Sequence, residues 1–115
     1  MNQIPSLSLS YNEITELVIN CIKQHGQSFE FKNFCNNVGA TAVRDGLVEN
    51  PNPIGHQAIY FPLQRKDECI VRQVLWDLIV KRILTIGDFY NDTWPWVSVT
   101  EPGKAFLMSK SENIK

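Results

Sequence analysis

The stretch Val74-Leu75-Trp76-Asp77-Leu78-Ile79-Val80-Lys81-Arg82-Ile83-Leu84-Thr85-Ile86-Gly87 changes its hydrophobic period part-way along. Up to Ile83 the apolar positions Ile70, Val71, Val74, Leu75, Leu78, Ile79 and Ile83 fall on one side of a helix of about 3.6 residues per turn. Arg72, Gln73, Asp77 and Lys81 lie largely opposite, with Trp76 and Val80 near the boundary. Pro62 suits the first turn of this helix, and Asp67 is a competing N-cap. Beyond Ile83 the period shortens. Leu84-Thr85-Ile86 reads as a short strand, Gly87-Asp88-Phe89-Tyr90-Asn91-Asp92 as a turn region, and Trp94 to Thr100 alternates as a second strand, with Pro95 at its beginning or on an edge. Thr100 can then cap a last helical segment through Ala105, Phe106 and Leu107, with Pro102 allowed in its first turn.

Upstream, Ser10-Tyr11-Asn12-Glu13 fits a capping box, and Leu9 and Ile14 are placed to form its hydrophobic staple. Ile14, Leu17, Val18, Cys21 and Ile22 repeat on one helical face and Gly26 follows as a left-handed stop, predicting a helix from Tyr11 to His25. A second helix is expected after Ser28, with Glu30 in its first turn, Phe31, Phe34, Cys35 and Val38 as its buried stripe, and Gly46 as its end. Residues 47–57, carrying two prolines, a glycine and two asparagines, read as a loop.

The chain has 115 residues, 43% hydrophobic, 10% aromatic and 20% charged, a composition that excludes fibrous, low-complexity and wholly disordered classes. The reading is one domain over residues 1–115, with frayed ends at 1–8 and 109–115. Eleven Lys and Arg against twelve Asp and Glu leave a net charge of −1, which argues against a surface that grips polyanions all round but allows a local basic face. The three cysteines Cys21, Cys35 and Cys69 form no CxxC pair and sit in apolar-periodic segments, as reduced core thiols do. The start of the chain lacks the pattern of a signal peptide, and Asp77 and Lys81 interrupt its most apolar segment. A soluble, cytoplasmic protein is expected.

Helices, then a long amphipathic helix running straight into a hairpin whose second strand leads to Thr100-Glu101-Pro102-Gly103-Lys104, resemble the winged helix-turn-helix domains of many bacterial proteins. The likeness covers the chain from Val74 towards the C-terminus. It implies an α+β, mainly helical fold with a small antiparallel β wing, a recognition helix at roughly 67–83, and a wing touching the DNA backbone. Carried over by position, Arg72, Gln73, Lys81 and Arg82 would face the duplex, with Arg65 and Lys66 adding phosphate contacts. An ordinary solvated face would carry the same six residues.

The charges around them pull both ways. Asp67, Glu68 and Asp77 crowd the helix, and between Ile83 and Gly103 there is no Lys or Arg, while Asp88 and Asp92 place negative charge near the wing tip. The first expectation is a DNA-associated transcriptional regulator acting as a dimer. The alternative is a protein-interaction or adaptor subunit using Trp76, Phe89, Tyr90, Trp94 and Trp96, residue types enriched at binding hot spots. Against both stands the plain reading that the tryptophans finish a small core. Val97 and Val99, or alternatively Trp96, should point inward. His25 and His56 have no second ligand at metal spacing, the glycines form no phosphate-cradling loop, and no acid, base and nucleophile can be assigned. Neither an enzyme, nor a cofactor, nor a small-molecule ligand, nor membrane attachment is expected.

Overall fold

The structure, a computed structural model, describes residues 7–48 and 63–112. The greater part of the loop expected at 47–57, with His56, and the helix start at Pro62 lie outside the described residues. The fold is mixed α+β and mainly helical, with four helices and one small antiparallel sheet among the described residues.

Helix α1 spans Tyr11–His25, held at its start by both halves of the capping box. The Ser10 hydroxyl accepts from the Glu13 N–H at 3.1 Å, and Glu13 Oε1 accepts from the Ser10 N–H at 2.8 Å. Gly26 follows with φ 109° and ψ 179°, a positive-φ extended conformation rather than the left-handed helical stop expected. That geometry sends the chain directly into strand β1, Ser28–Glu30.

This strand corrects the expectation that the second helix begins after Ser28. Helix α2 spans Phe31–Arg44, and Glu30 stands outside it as the N-cap, its carboxylate accepting from the Asn33 N–H at 2.9 Å. Three residues are too few to show strand alternation; β1 exists because a later strand offers it partners. The stripe Phe31, Phe34, Cys35 and Val38 is buried as expected. Asp45 caps the C-terminus, just before Gly46 at φ 76°.

Helix α3 spans Arg65–Val80 and begins between the two expected starts, with Gln64 as its N-cap. Its end differs from the sequence reading. The N–H of Ile83 bonds to the Leu78 carbonyl and that of Arg82 to the Ile79 carbonyl, both at 2.9 Å, and Arg82 takes φ 65°. This pair of bonds is a Schellman closure with a non-glycine residue in the left-handed position. It stops the helix at Val80 although the apolar period runs on to Ile83, and it turns the chain into strand β2, Leu84–Ile86.

Strand β3 covers Trp96–Val99 after a cis Trp94-Pro95 bond. It lies between the other two strands, in the order β1-β3-β2, pairing Phe29 with Val97 on one side and Leu84 with Val99 on the other. Val97 and Val99 are buried and Trp96 is half-buried. Helix α4, Glu101–Glu112, is capped by Thr100, whose hydroxyl accepts from the Gly103 N–H at 2.9 Å. It runs on through residues 109–112, which were expected to fray.

One cluster joins these elements. Ile14, Val18 and Cys21 of α1, Phe34 and Val38 of α2, and Val71, Val74 and Leu75 of α3 meet with Leu84 and Val97 of the sheet. Leu7 also belongs to it, at 1% exposure. An N-terminal residue expected to fray is thus anchored, because its apolar side chain enters the core and its N–H finds a buried acceptor in α3.

Candidate functional site

That acceptor is Asp67. In the first turn of α3 its carboxylate points inward, 3% exposed, and takes the Leu7 N–H at 3.0 Å. Glu68, the next residue, is 8% exposed, and its two oxygens lie 3.0 and 2.9 Å from Lys32 Nζ of α2. Arg65 Nη1 approaches from the other side at 3.3 Å. Burial pushes the Glu68 pKa upward, but the hydrogen bonds and charges of Lys32 and Arg65 outweigh it and hold the carboxyl below its ordinary value. Both acids also favour the positive end of the helix dipole.

The third acid of α3, Asp77, accepts the phenolic hydrogen of Tyr11 and so ties the end of α3 to the start of α1. Desolvation, then this hydrogen bond and the carboxylate charge, push the Tyr11 phenol up to about 12. Asp67 and Glu68 are therefore committed to buried partners, whereas Asp77 stays exposed on the outward side of α3 with its carboxylate bonded to Tyr11.

The remaining outward surface of α3 carries Lys66 and Gln73, both exposed, with Arg72 and Cys69 half-buried beside them. Arg72 Nη2 lies 4.0 Å from Cys69 Sγ. Among the described residues, none of Lys66, Arg72, Lys81 and Arg82 joins an ion pair, whereas Arg65 is shared with Glu68. Lys81 and Arg82 are exposed. Because the helix ends at Val80, they sit on the corner between α3 and β2 and not on the helix face that the resemblance gave them. Lys32 and Tyr11, which neutralise Glu68 and hold Asp77, are the residues that sequence reasoning missed.

The aromatic residues divide into two groups. Trp94, half-buried against the core, lies 5.2 Å from the Phe31 ring and 5.9 Å from the Trp76 ring. This row fastens the connection between β2 and β3 onto α2 and α3, helped by the Phe31 N–H bonding to the Pro95 carbonyl at 3.0 Å. Trp96 lines an open cleft of about 280 Å³ with Phe29 and Phe34. A second cleft, of about 520 Å³, lies between Ile22, Val99 and Leu107, flanked by Lys23 and Lys104.

Phe89 and Tyr90 form the other group, 91% and 86% exposed, their rings edge-to-face at 4.9 Å. The loop under them is tightly hydrogen-bonded. Asp88 Oδ1 accepts from the N–H groups of Tyr90 and Asn91 at 2.9 and 2.8 Å and from Asn91 Nδ2 at 3.1 Å. The Asp88 N–H closes the turn on the Asn91 carbonyl at 2.7 Å. Desolvation opposes these bonds, but together they prevail and hold the Asp88 carboxyl below its usual range. Gly87 is required here: at φ 96°, a Cβ would stand 2.7 Å from the Asn91 oxygen.

No family model matches the chain, and neither the curated proteins nor the solved structures contain a significant match to it. No described helix is long and apolar enough to cross a membrane.

Proposed function

We propose that the chain is a non-catalytic winged-helix module, a DNA-associated regulator that lays α3 against double-stranded DNA. Two features support the winged-helix reading: the element order, and the sheet that pairs a strand preceding α2 with the β2–β3 hairpin. The observation that carries the DNA reading is the inward seating of Asp67 and Glu68, with Asp77 tied to Tyr11. It leaves Lys66, Arg72 and Gln73 outward on α3 and Lys81 and Arg82 at its end. Arg and Gln suit guanine and adenine edges, and lysine suits phosphate. Lys32 and Arg65 serve as the counter-charges that keep Glu68 out of the interface. The free thiols Cys21, Cys35 and Cys69 fit a reducing, cytoplasmic setting.

Four cations outside ion pairs, at about 0.9 per phosphate neutralised, set a slope of log affinity on log salt near −3.6. Binding to a random-sequence duplex, read by fluorescence anisotropy, should then weaken about 150-fold between about 50 and 200 mM salt. Arg72→Ala with Lys81→Ala should halve the slope, so that the same step costs about 12-fold. No binding at the lower salt, or a slope that the double substitution leaves unchanged, overturns the proposal.

A further inference from the structure

We propose that the tip of the β2–β3 connection, Asp88 to Asp92, is a docking site for an arginine-bearing segment of a partner protein. Two large aromatic side chains lie almost wholly in water, and a partner that covered them would gain roughly 25 cal/mol for each Å² of apolar surface buried. They are not on a loose loop: the three hydrogen bonds to Asp88 Oδ1 and the closure on Asn91 fix the backbone that carries them. Such a presentation has already met the ordering cost that a flexible loop would pay on binding. The edge-to-face ring pair leaves aromatic surface open to a stacking partner.

Charge selects the partner. From Leu84 to Pro102 the chain has no Lys or Arg, and Asp88 and Asp92 flank the rings. A phosphate backbone brought to this tip would meet carboxylates and no counter-charge. A guanidinium group meets the reverse. It can stack on the face of Phe89 or Tyr90 through cation–π attraction, and the exposed carboxylate of Asp92, two residues on, favours its charge. The basic corner at Lys81 and Arg82 and this acidic aromatic tip are thus surfaces of opposite chemistry, and neither needs the other to bind its ligand.

The experiment uses the full chain, isotopically labelled, titrated with the probe peptide acetyl-Gly-Arg-Leu-Arg-Gly-amide while backbone amide resonances are followed. Glutamate replaces both arginines in the control peptide. The expected result is a shift confined to residues 87–92 with the basic peptide alone. Phe89→Ala with Tyr90→Ala should weaken the interaction about tenfold or more at an unchanged melting temperature, because both side chains are exposed. Asp92→Asn should weaken it about threefold. The inference is overturned by an unmoved tip, by an equal response to the acidic peptide, or by tip resonances that shift with duplex DNA instead. Tip signals that broaden with protein concentration, matched by self-association in sedimentation, would assign the tip to a second copy of the chain and overturn it as well.

Discussion

Replacing Gly103 by alanine sets two physical rules against each other. Gly103 lies in the first turn of α4, and helix propensity taken alone favours alanine there by about 1 kcal/mol. Packing says the opposite. A Cβ on Gly103 would stand 2.1 Å from the Ile83 oxygen, 2.9 Å from its carbonyl carbon and 3.0 Å from Val99 Cγ1. The Ile83 carbonyl cannot swing aside freely, because it accepts from the Thr100 N–H at 3.0 Å and from the Thr100 hydroxyl at 3.1 Å. Relief therefore requires α4 to lift off the end of β2. Overpacking of this kind costs about 1–3 kcal/mol, and two strained hydrogen bonds add about 1 kcal/mol between them. Set against the propensity gain, the net loss is about 1–3 kcal/mol. In a chain of this size that lowers the melting temperature by about 4–18 °C. Thermal and urea unfolding of the full chain, followed by far-ultraviolet circular dichroism, reads it directly. Ala105→Gly, on an exposed position of the same helix, calibrates propensity and should cost about 1 kcal/mol. If Gly103→Ala unfolds at or above the wild-type temperature, the close seating of α4 on Ile83 is wrong.

Glu68 makes stability depend on acid. Its folded pKa lies below the unfolded value, so its contribution is fully present above the unfolded pKa of about 4.3 and is lost as pH falls through the folded one. Glu68→Gln should cost about 1 kcal/mol at neutral pH, since both partner cations remain largely exposed. That gap should close in acid; a gap of constant size across the titration would contradict the assignment. The thiols should separate by accessibility. Burial raises Cys21 to about 11 and, together with the Glu68 charge, Cys35 to about 12, whereas Cys69 is only half-buried. A thiol-exchange reagent should modify one cysteine quickly in the native chain and all three after unfolding. Rapid native modification of two or more would refute the packing around α1 and α2.

Elements whose determinants are local were legible. Both ends of α1 follow from Ser10, Glu13 and Gly26, all within a turn of the boundaries they set, and β2 follows from the change of period after Ile83. What depends on distant partners was not. Strand β1 is three residues that become a strand only because β3 lies alongside. The end of α3 was hidden for a different reason: a Schellman closure is usually announced by glycine or asparagine, and here an arginine holds the left-handed position. Nothing in its residue type distinguishes Arg82 from the helical residues before it. The exposure of Phe89 and Tyr90, by contrast, could be anticipated from two aromatics placed in a turn with little to bury them.

The candidate site shows the same division between local and distant determinants, and there it alters the functional argument. Along the chain, Asp67 and Glu68 stand beside Arg65 and Lys66, and a count by sequence neighbourhood cancels one pair against the other. Folding sorts the four by direction. Asp67 turns to an N–H that lies 60 positions away, and Glu68 to an ammonium group 36 positions away. Neither partner carries a mark in the sequence that would single it out. With Asp67 and Glu68 buried, Lys66 and Arg72 share the outward face of α3 with Gln73 and the exposed Asp77. The β2–β3 connection does not undergo this sorting: Asp88 spends its carboxylate on its own loop, and among the described residues no cation pairs with it. The DNA face proposed on α3 and the arginine site proposed at the β2–β3 tip therefore differ in chemistry, and each has its own assay.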